Sequence, residues 1–357
     1  MIYMPRLLSA LIITLAGLQA GAVDAAPETG FADNPKVKAF AQKMVRQHAF
    51  SYEQLMRLFA DLDVNQEVLR LIKPKNRAEN QPSWKKYRSR FLSHVRVSQG
   101  ISFWRRNAKT LAAAREHYGV PEAIIVAIIG VETAYGRITG RFDVLESLAT
   151  LAFYYPRRSR FFSSELENFL LLCRENKLSP HEFSGSFAGA IGIPQFMPGS
   201  QRRHAVDFDG DGKVDLRFSV VDAIGSVASF LVNHGWRRNE AITVRAEVGR
   251  VSDARLHELE EAGNRPSWGM NKLHAEGVRP ASGVGEGDFF NVDRIFPNRA
   301  SVLTFPTPEQ ETQYWLGFEN FYVLTRYNRA NFYAMSVFQL AETLALKQAL
   351  WLADNGL

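Results

Sequence analysis

Cysteine is all but absent from this chain of 357 residues: Cys173 stands alone. No intramolecular disulfide can form, so stability must come from packing. Cys173 itself lies in the apolar helical stripe ENFLLLCREN and reads as core. Long apolar runs are equally scarce. Beyond the N-terminal segment none approaches the roughly 20 residues that a membrane-spanning helix needs. Zinc-finger spacing, a basic-aromatic RNA motif and long lysine or arginine runs are also missing, which argues against a nucleic-acid partner. No internal repeat or low-complexity tract is present. The net charge of +6, from 43 basic and 37 acidic residues, is compatible with an acidic partner and specifies none.

The N-terminus carries the one apolar run of note. Arg6 supplies a positive start, Leu7 to Val23 an apolar stretch, and Val23-Asp24-Ala25 or Ala20-Gly21-Ala22 a small-residue cleavage site. This reads as a signal peptide over 1–25, with a membrane anchor as the alternative, since the run is near the lower limit for spanning. Helical periodicity follows over Pro35 to Leu71, with Ser51 as an N-cap, and defines an N-terminal helical region over 26–80. Helices continue from Trp84, where Trp84, Tyr87 and Phe91 share a face. Beyond Trp236 the character shifts. ITVRAEVG, GVRP, DFFNVDRI and SVLTF are short β-like runs broken by Gly, Pro and Asn, predicting a mostly antiparallel β-rich insertion over 241–318. A return to helix occupies 319–357. The expected class is mainly α, of α+β type.

The chain is organised around Gly119 to Gly140, GVPEAIIVAIIGVETAYGRITG. Pro121 and Glu122 suit the first turn of a helix. From Ala123 to Val131 the sequence is apolar on every side, as in a helix buried all round. Glu132 is the first polar residue after that run. A carboxyl so placed is poorly solvated, and desolvation favours its protonated form, as a general acid requires. Periodicity alone leaves a second reading open: a half-exposed helix-end carboxylate held by Arg137 or Arg141.

A second motif, DFDGDGKVD over Asp207 to Asp215, sets carboxylates at positions 1, 3, 5 and 9 and glycine at 6, like the front of an EF-hand loop. Asp207, Asp209, Asp211 and Asp215, with the Lys213 carbonyl, form the candidate ligand set for Ca2+. Position 12 is Phe218 where a glutamate is expected, and Asp222 is the candidate to close the site. An acidic turn without an ion is the alternative.

VPEAIIVAIIGVETAYG, LATLAFYYPRRSRFF, GSFAGAIGIPQFMPGS and VDAIGSVASFLVNHGW, in this order and spacing, resemble the lytic murein transglycosylase B family. The resemblance covers most of the chain from about Pro82 to Tyr333. It implies a lysozyme-like helical core, here over 81–240, that cleaves the peptidoglycan glycan strand with one glutamate, matched by Glu132. By the same resemblance Ser186 neighbours the acid, Gln195 hydrogen-bonds sugar, and Phe196 offers an apolar wall. Tyr327, Asn328 and Tyr333 match a YN…Y cleft motif, and Tyr87 a cleft tyrosine. Arg157 and Arg158 would hold carboxylates or acetamido oxygens of the strand, or else form a solvated basic corner. The resemblance also implies a metal loop where Asp207 stands, in which calcium would be structural.

The implied reaction joins the C6 hydroxyl to C1 and leaves a 1,6-anhydromuramoyl end. Alternatives are a lysozyme-type hydrolase and a non-catalytic peptidoglycan-binding protein. Asp143, Glu146 and Glu165 are the available second carboxylates, and none falls in a block that suggests a cleft. Many relatives bear a lipid-accepting cysteine, which is missing near this N-terminus. A soluble periplasmic form without membrane anchor is therefore expected, with glycan strands and other cell-wall enzymes as partners.

Overall fold

A computed structural model describes residues 30–74, 83–281, 296–308 and 310–355. The signal-peptide assignment at 1–25 and the β-like run at 288–295 lie outside the described residues. The described chain opens with α1 (Pro35–His48), α2 (Tyr52–Ala60) and α3 (Gln66–Ile72), then α4 (Trp84–Arg88), α5 (His94–Arg106), α6 (Ala108–Tyr118) and α7 (Glu122–Thr133). Next come β1 (Phe142–Asp143), α8 (Val144–Tyr154), α9 (Ser159–Glu175), β2 (Ser184–Gly185), α10 (Pro198–His204) and α11 (Val220–Asn233). A β-rich stretch holds β3 (Thr243–Val248), α12 (Asp253–Glu261), β4 (Trp268–Gly269), α13 (Met270–Ala275), β5 (Val278–Pro280), β6 (Arg299–Phe305) and β7 (Gln313–Gly317). The helices α14 (Glu319–Tyr327) and α15 (Asn331–Asp354) close the chain. Their starts are set by local chemistry. Asn34, Ser51, Asn65, Ser83 and Ser93 each accept a backbone N–H of the first turn, filling valences the helix leaves open.

The chain divides into two compact units. Among the described residues, one combines 30–74 with 138–220. In its core the rings of Phe40, Phe59 and Phe153 meet edge to face at 5.7–6.0 Å, and Phe31 packs on Phe153 and Tyr154. Asn65 ties α3 to α8: its backbone N–H donates to Thr150 Oγ1 at 3.1 Å and its Nδ2 to Glu146 Oε1 at 2.5 Å. The N-terminal helices thus share one core with residues 142–197 and do not stand as a separate region. The reason is the near-complete burial of α8. A helix apolar on most of its surface needs partners on several sides, and α1–α3 supply some of them.

The other unit combines 83–137 with the described residues between 221 and 355. At its centre α7 buries every residue from Ala123 to Val131, packed by α15, α5 and α6. Its β portion is an antiparallel five-stranded sheet in the order β4-β6-β7-β3-β5. Leu259, Leu273, Val302, Leu316 and Phe318 form its small core. Asn320, fully buried, joins this sheet region to α14. Its Oδ1 accepts from Arg237 N at 2.8 Å, and its Nδ2 donates to the Arg237 and Glu240 carbonyls. The sheet contains β7, which sequence periodicity had not singled out, and two helices, α12 and α13, within the expected strand region. Among the described residues no helix is long and apolar enough to cross a membrane.

Candidate active site

Glu132 occupies the last turn of α7, where the apolar helix ends. Burial pushes its carboxyl up from 4.5 to about 7, and a hydrogen bond from Tyr333 opposes that rise without cancelling it. The Tyr333 hydroxyl, from the first turn of α15, donates to Glu132 Oε1 at 2.6 Å. Neither Arg137 nor Arg141 holds the carboxylate: Arg141 instead donates to Glu67 at 2.8 Å, within the other unit.

Three phenols surround this one acid. The Tyr327 ring lies parallel to that of Tyr333, at 6.4 Å and 12°, and packs against Phe230. Tyr87 is buried among Trp84, Phe91 and Phe332. Burial, reinforced by the nearby Glu132 charge, pushes Tyr87 up to about 12 and raises Tyr327 and Tyr333 well above the ordinary tyrosine range. All three therefore stay neutral hydroxyls near neutral pH. Asn328, the fourth residue of this expected set, makes a local turn, its Oδ1 accepting from Ala330 N at 3.2 Å ahead of α15.

The end of α7 has an unusual backbone. Ala134 and Tyr135 both adopt the left-handed conformation, with φ of 53° and 65°. For non-glycine residues this costs roughly 1–2 kcal/mol each, so neighbouring contacts must hold it. The Ala134 and Tyr135 amides donate back to the Gly130 and Ile129 carbonyls. Arg96 Nη1 also donates to Gly130 O at 2.6 Å, and Tyr135 OH donates to Arg96 O at 3.0 Å. Thr133 Oγ1 donates to Ile129 O and accepts from Gly136 N. Arg96 and Tyr135 were not singled out from sequence. A glycine inside the apolar run, Gly130, was the available signal, because a helical glycine usually marks a close packing partner.

The remaining expected residues belong to the other unit. Ser186 Oγ accepts from Ala188 N at 3.3 Å and Ala190 N at 3.0 Å, fixing the signature loop. Gln195 has φ of 53°, and its Nε2 donates to the Thr139 and Gly192 carbonyls at 2.8 and 2.9 Å. Phe196 departs from expectation. It is only 2% exposed and its backbone bridges to Ile191, so it packs the loop rather than presenting an apolar wall. Arg157 is exposed, whereas the Arg158 guanidinium lies 4.2 Å from the Phe161 ring centre and within electrostatic reach of Glu165. The spare carboxylates have structural partners: Asp143 caps α8, Glu146 accepts from Asn65, and Glu165 accepts from Gly199 N.

In the acidic loop, carboxylate oxygens of Asp207, Asp209 and Asp211 lie within 4.8 Å of one another. Gly210 and Gly212, with φ of 77° and 84°, give the chain its winding, and both amides donate to the Asp207 carboxylate. The donors are all hard oxygens and fit a calcium-like cation. Asp215 and Asp222 fall outside this cluster. Asp215 Oδ1 accepts instead from the Arg217 and Phe218 amides, and Asp222 is buried in the first turn of α11. Both were expected ligands. Asp215 is held in a turn by those amides, and Asp222 stands at the helix start.

A largely helical unit that sets one partly buried carboxylic acid against a phenol hydroxyl has the form of a single-acid glycan-cleaving enzyme. The chain belongs to the transglycosylase SLT domain family, whose model matches residues 32–342. It is 39% identical over 325 residues to membrane-bound lytic murein transglycosylase B of Escherichia coli (strain K12), covering 88% of this chain and 84% of that protein. The structure is similar to that of soluble lytic transglycosylase SltB1 from Pseudomonas aeruginosa, with a TM-score of 0.77 and 42% identity over 88% of this chain and 100% of that one. It is also similar to the Escherichia coli lytic transglycosylase Slt35 solved in complex with calcium, with a TM-score of 0.76 and 38% identity over 89% and 95% of the two chains. The mainly helical, lysozyme-like class expected from sequence is the class these relatives share.

Proposed function

We propose that this chain, a lytic transglycosylase acting on peptidoglycan, uses Glu132 as its single acid and base. The bond cleaved is the β-1,4 link from N-acetylmuramic acid to N-acetylglucosamine. Protonated Glu132 gives its proton to the glycosidic oxygen as the C1–O4 bond breaks, with the substrate's acetamido oxygen assisting departure. The carboxylate so formed then takes the proton of the C6 hydroxyl as O6 bonds to C1. The product is a 1,6-anhydromuramoyl end. One proton passes from O6 to O4 by way of Glu132, and no water is consumed.

The observation that supports this reading most is the partly buried Glu132 carboxyl, held up to about 7 and bonded at 2.6 Å to Tyr333. An acid poised there can both give and take a proton near neutral pH. Asp143, Glu146 and Glu165 each accept a structural hydrogen bond, which favours the intramolecular acceptor over a two-carboxylate hydrolysis. Tyr87, Tyr327, Asn328, Ser186, Gln195, Arg157 and Arg158 are the proposed glycan contacts. The reaction takes place in the periplasm, where this substrate lies.

Asp207, Asp209 and Asp211, with the Lys213 carbonyl, are proposed to hold calcium in a bracing role. The ion would order the loop after the signature block and take no part in bond breaking. The calcium complex of a relative supports the choice of ion.

Digestion of purified sacculi and mass spectrometry of the released muropeptides tests the function. Anhydro ends are expected from the wild type and none from Glu132→Gln, whose loss should be at least the roughly 10²–10⁴-fold typical of a general acid-base group. Reducing ends would instead identify a hydrolase, no release a binding protein, and an active Glu132→Gln variant would refute the assignment.

A further inference from the structure

The turn after α7 carries a residue that the reaction as described does not use. Tyr135 folds its ring back under the helix, between two glycines. A Cβ built on Gly100 of α5 would lie 2.4 Å from the Tyr135 hydroxyl and 2.6 Å from Leu344. A Cβ built on Gly130 of α7 would lie 2.6 Å from the Tyr135 ring. Phe103 lies alongside the same ring at 5.6 Å. Tyr135 OH donates to Arg96 O, and the Arg96 guanidinium donates to Gly130 O. A closed circuit therefore runs from α7 through Tyr135 to α5 and back to α7, enclosing the turn in which Glu132 sits.

We propose that Tyr135 is a positioning residue: wedged between Gly100 and Gly130, it fixes the last turn of α7 and thereby aims the Glu132 carboxyl and keeps water from it. This rests on the reading of Glu132 as the acid. The physical case has two parts. The last turn of a helix frays unless something holds it, and this one is followed by two left-handed non-glycine residues, a conformation that persists only when surrounding contacts impose it. Tyr135 provides those contacts from both sides, through its own backbone bond to Ile129 O and through its ring. Loosening the turn admits water to a carboxyl whose raised pKa is due first to burial.

The groups facing that carboxyl are Tyr87 from α4, Tyr327 from α14 and Tyr333 from α15. From α5, Arg96 reaches the carbonyl of Gly130. On α6, Arg115 meets Glu122 at the far end of the helix. The phenols are raised above the ordinary tyrosine range and stay neutral near neutral pH. Any movement of the alkaline limb of the rate there therefore reports on Glu132.

The test measures kcat and KM against pH on a soluble, uncrosslinked peptidoglycan strand. The proteins are the wild type, Tyr135→Phe, Tyr135→Ala, Gly130→Ala and the double variant Gly130→Ala/Tyr135→Ala. Tyr135→Ala should lose about 10- to 100-fold in kcat, the scale of a small misplacement of a reacting group. Its KM should stay within about twofold, because the substrate contacts are untouched. Its alkaline limb should move to lower pH. Tyr135→Phe keeps the wedge and should retain most of the rate. Gly130→Ala should lower kcat in the wild type and move the limb the same way, although alanine favours a helix more than glycine does. With Tyr135 already alanine, the same change should cost nothing further, since the clash is gone.

An unmoved alkaline limb and near-normal kcat in folded Tyr135→Ala overturn the proposal. Should that variant not fold, an unmoved limb in folded Gly130→Ala overturns it, and a limb displaced to lower pH supports it. Glu132→Gln in the same assay separates the two readings. Activity there refutes the acid assignment. An inactive Glu132→Gln beside unaffected Tyr135 variants refutes only the positioning role.

Discussion

Replacing Glu132 by glutamine should stabilise the protein, and the gain should depend on pH. In the folded chain burial holds this carboxyl at about 7 against an ordinary 4.5. The difference corresponds to about 3 kcal/mol. The folded-state value lies above the unfolded one, so the favourable contribution is full below about pH 4.5. It is lost progressively as pH rises through about 7, where the native state must bury a charge that the unfolded state leaves in water. Glutamine keeps the shape, never ionises, and retains an oxygen to accept the Tyr333 hydroxyl. Urea unfolding of wild type and Glu132→Gln, compared at each pH, cancels the titration of every other group. The variant's advantage should be near zero in acid, grow through neutrality and level off at up to about 3 kcal/mol in mild alkali. An offset that is the same at all pH values would refute the buried-acid account, and so would one that shrinks as pH rises.

Tyr333→Phe removes a bond that lowers the Glu132 pKa. The alkaline limb of kcat should therefore move to higher pH while the rate falls, which a pH-rate profile reads directly. An alkaline limb displaced downward would contradict the hydrogen bond. For the acidic loop, thermal melts in excess calcium and in chelator should differ by the equivalent of about 2.7 kcal/mol at a hundredfold excess over Kd. Asp211→Ala should abolish the difference, whereas Asp222→Ala should leave the calcium response in place. Chelation that stops cleavage in a protein still folded would assign the ion to the chemistry instead.

The helix that carries Glu132 was legible in sequence because its cause is local. An unbroken apolar run from Ala123 to Val131 has only one comfortable place, the interior, and the first carboxylate after it inherits that setting. The loop from Asp207 to Asp211 was legible for a similar reason: alternate carboxylates and two glycines determine the winding within a few residues. What escaped was non-local. β7 reads QYWLG, too short and too mixed to announce itself, yet it lies at the middle of the sheet because β6 and β3 pair with it on either side. The grouping of α1–α3 with α8 and α9 depends on burial shared across a long stretch of chain. Asp215 and Asp222 fit the EF-hand template by count, yet they stand apart from the cluster of Asp207, Asp209 and Asp211. The role of Tyr135 could not be read from AYG, since Gly100 and Arg96 come from a different helix.

The hydrogen bond from Tyr333 to Glu132 joins residues 201 positions apart. During synthesis the acid leaves the ribosome long before its phenol does, and α15, which also covers α7, is the last helix to arrive. A chain cut short before α15 would leave an apolar helix uncovered and Glu132 open to water, an ordinary ionised carboxylate near neutral pH. Such a fragment has the carboxyl proposed as the acid and lacks the environment that raises its pKa.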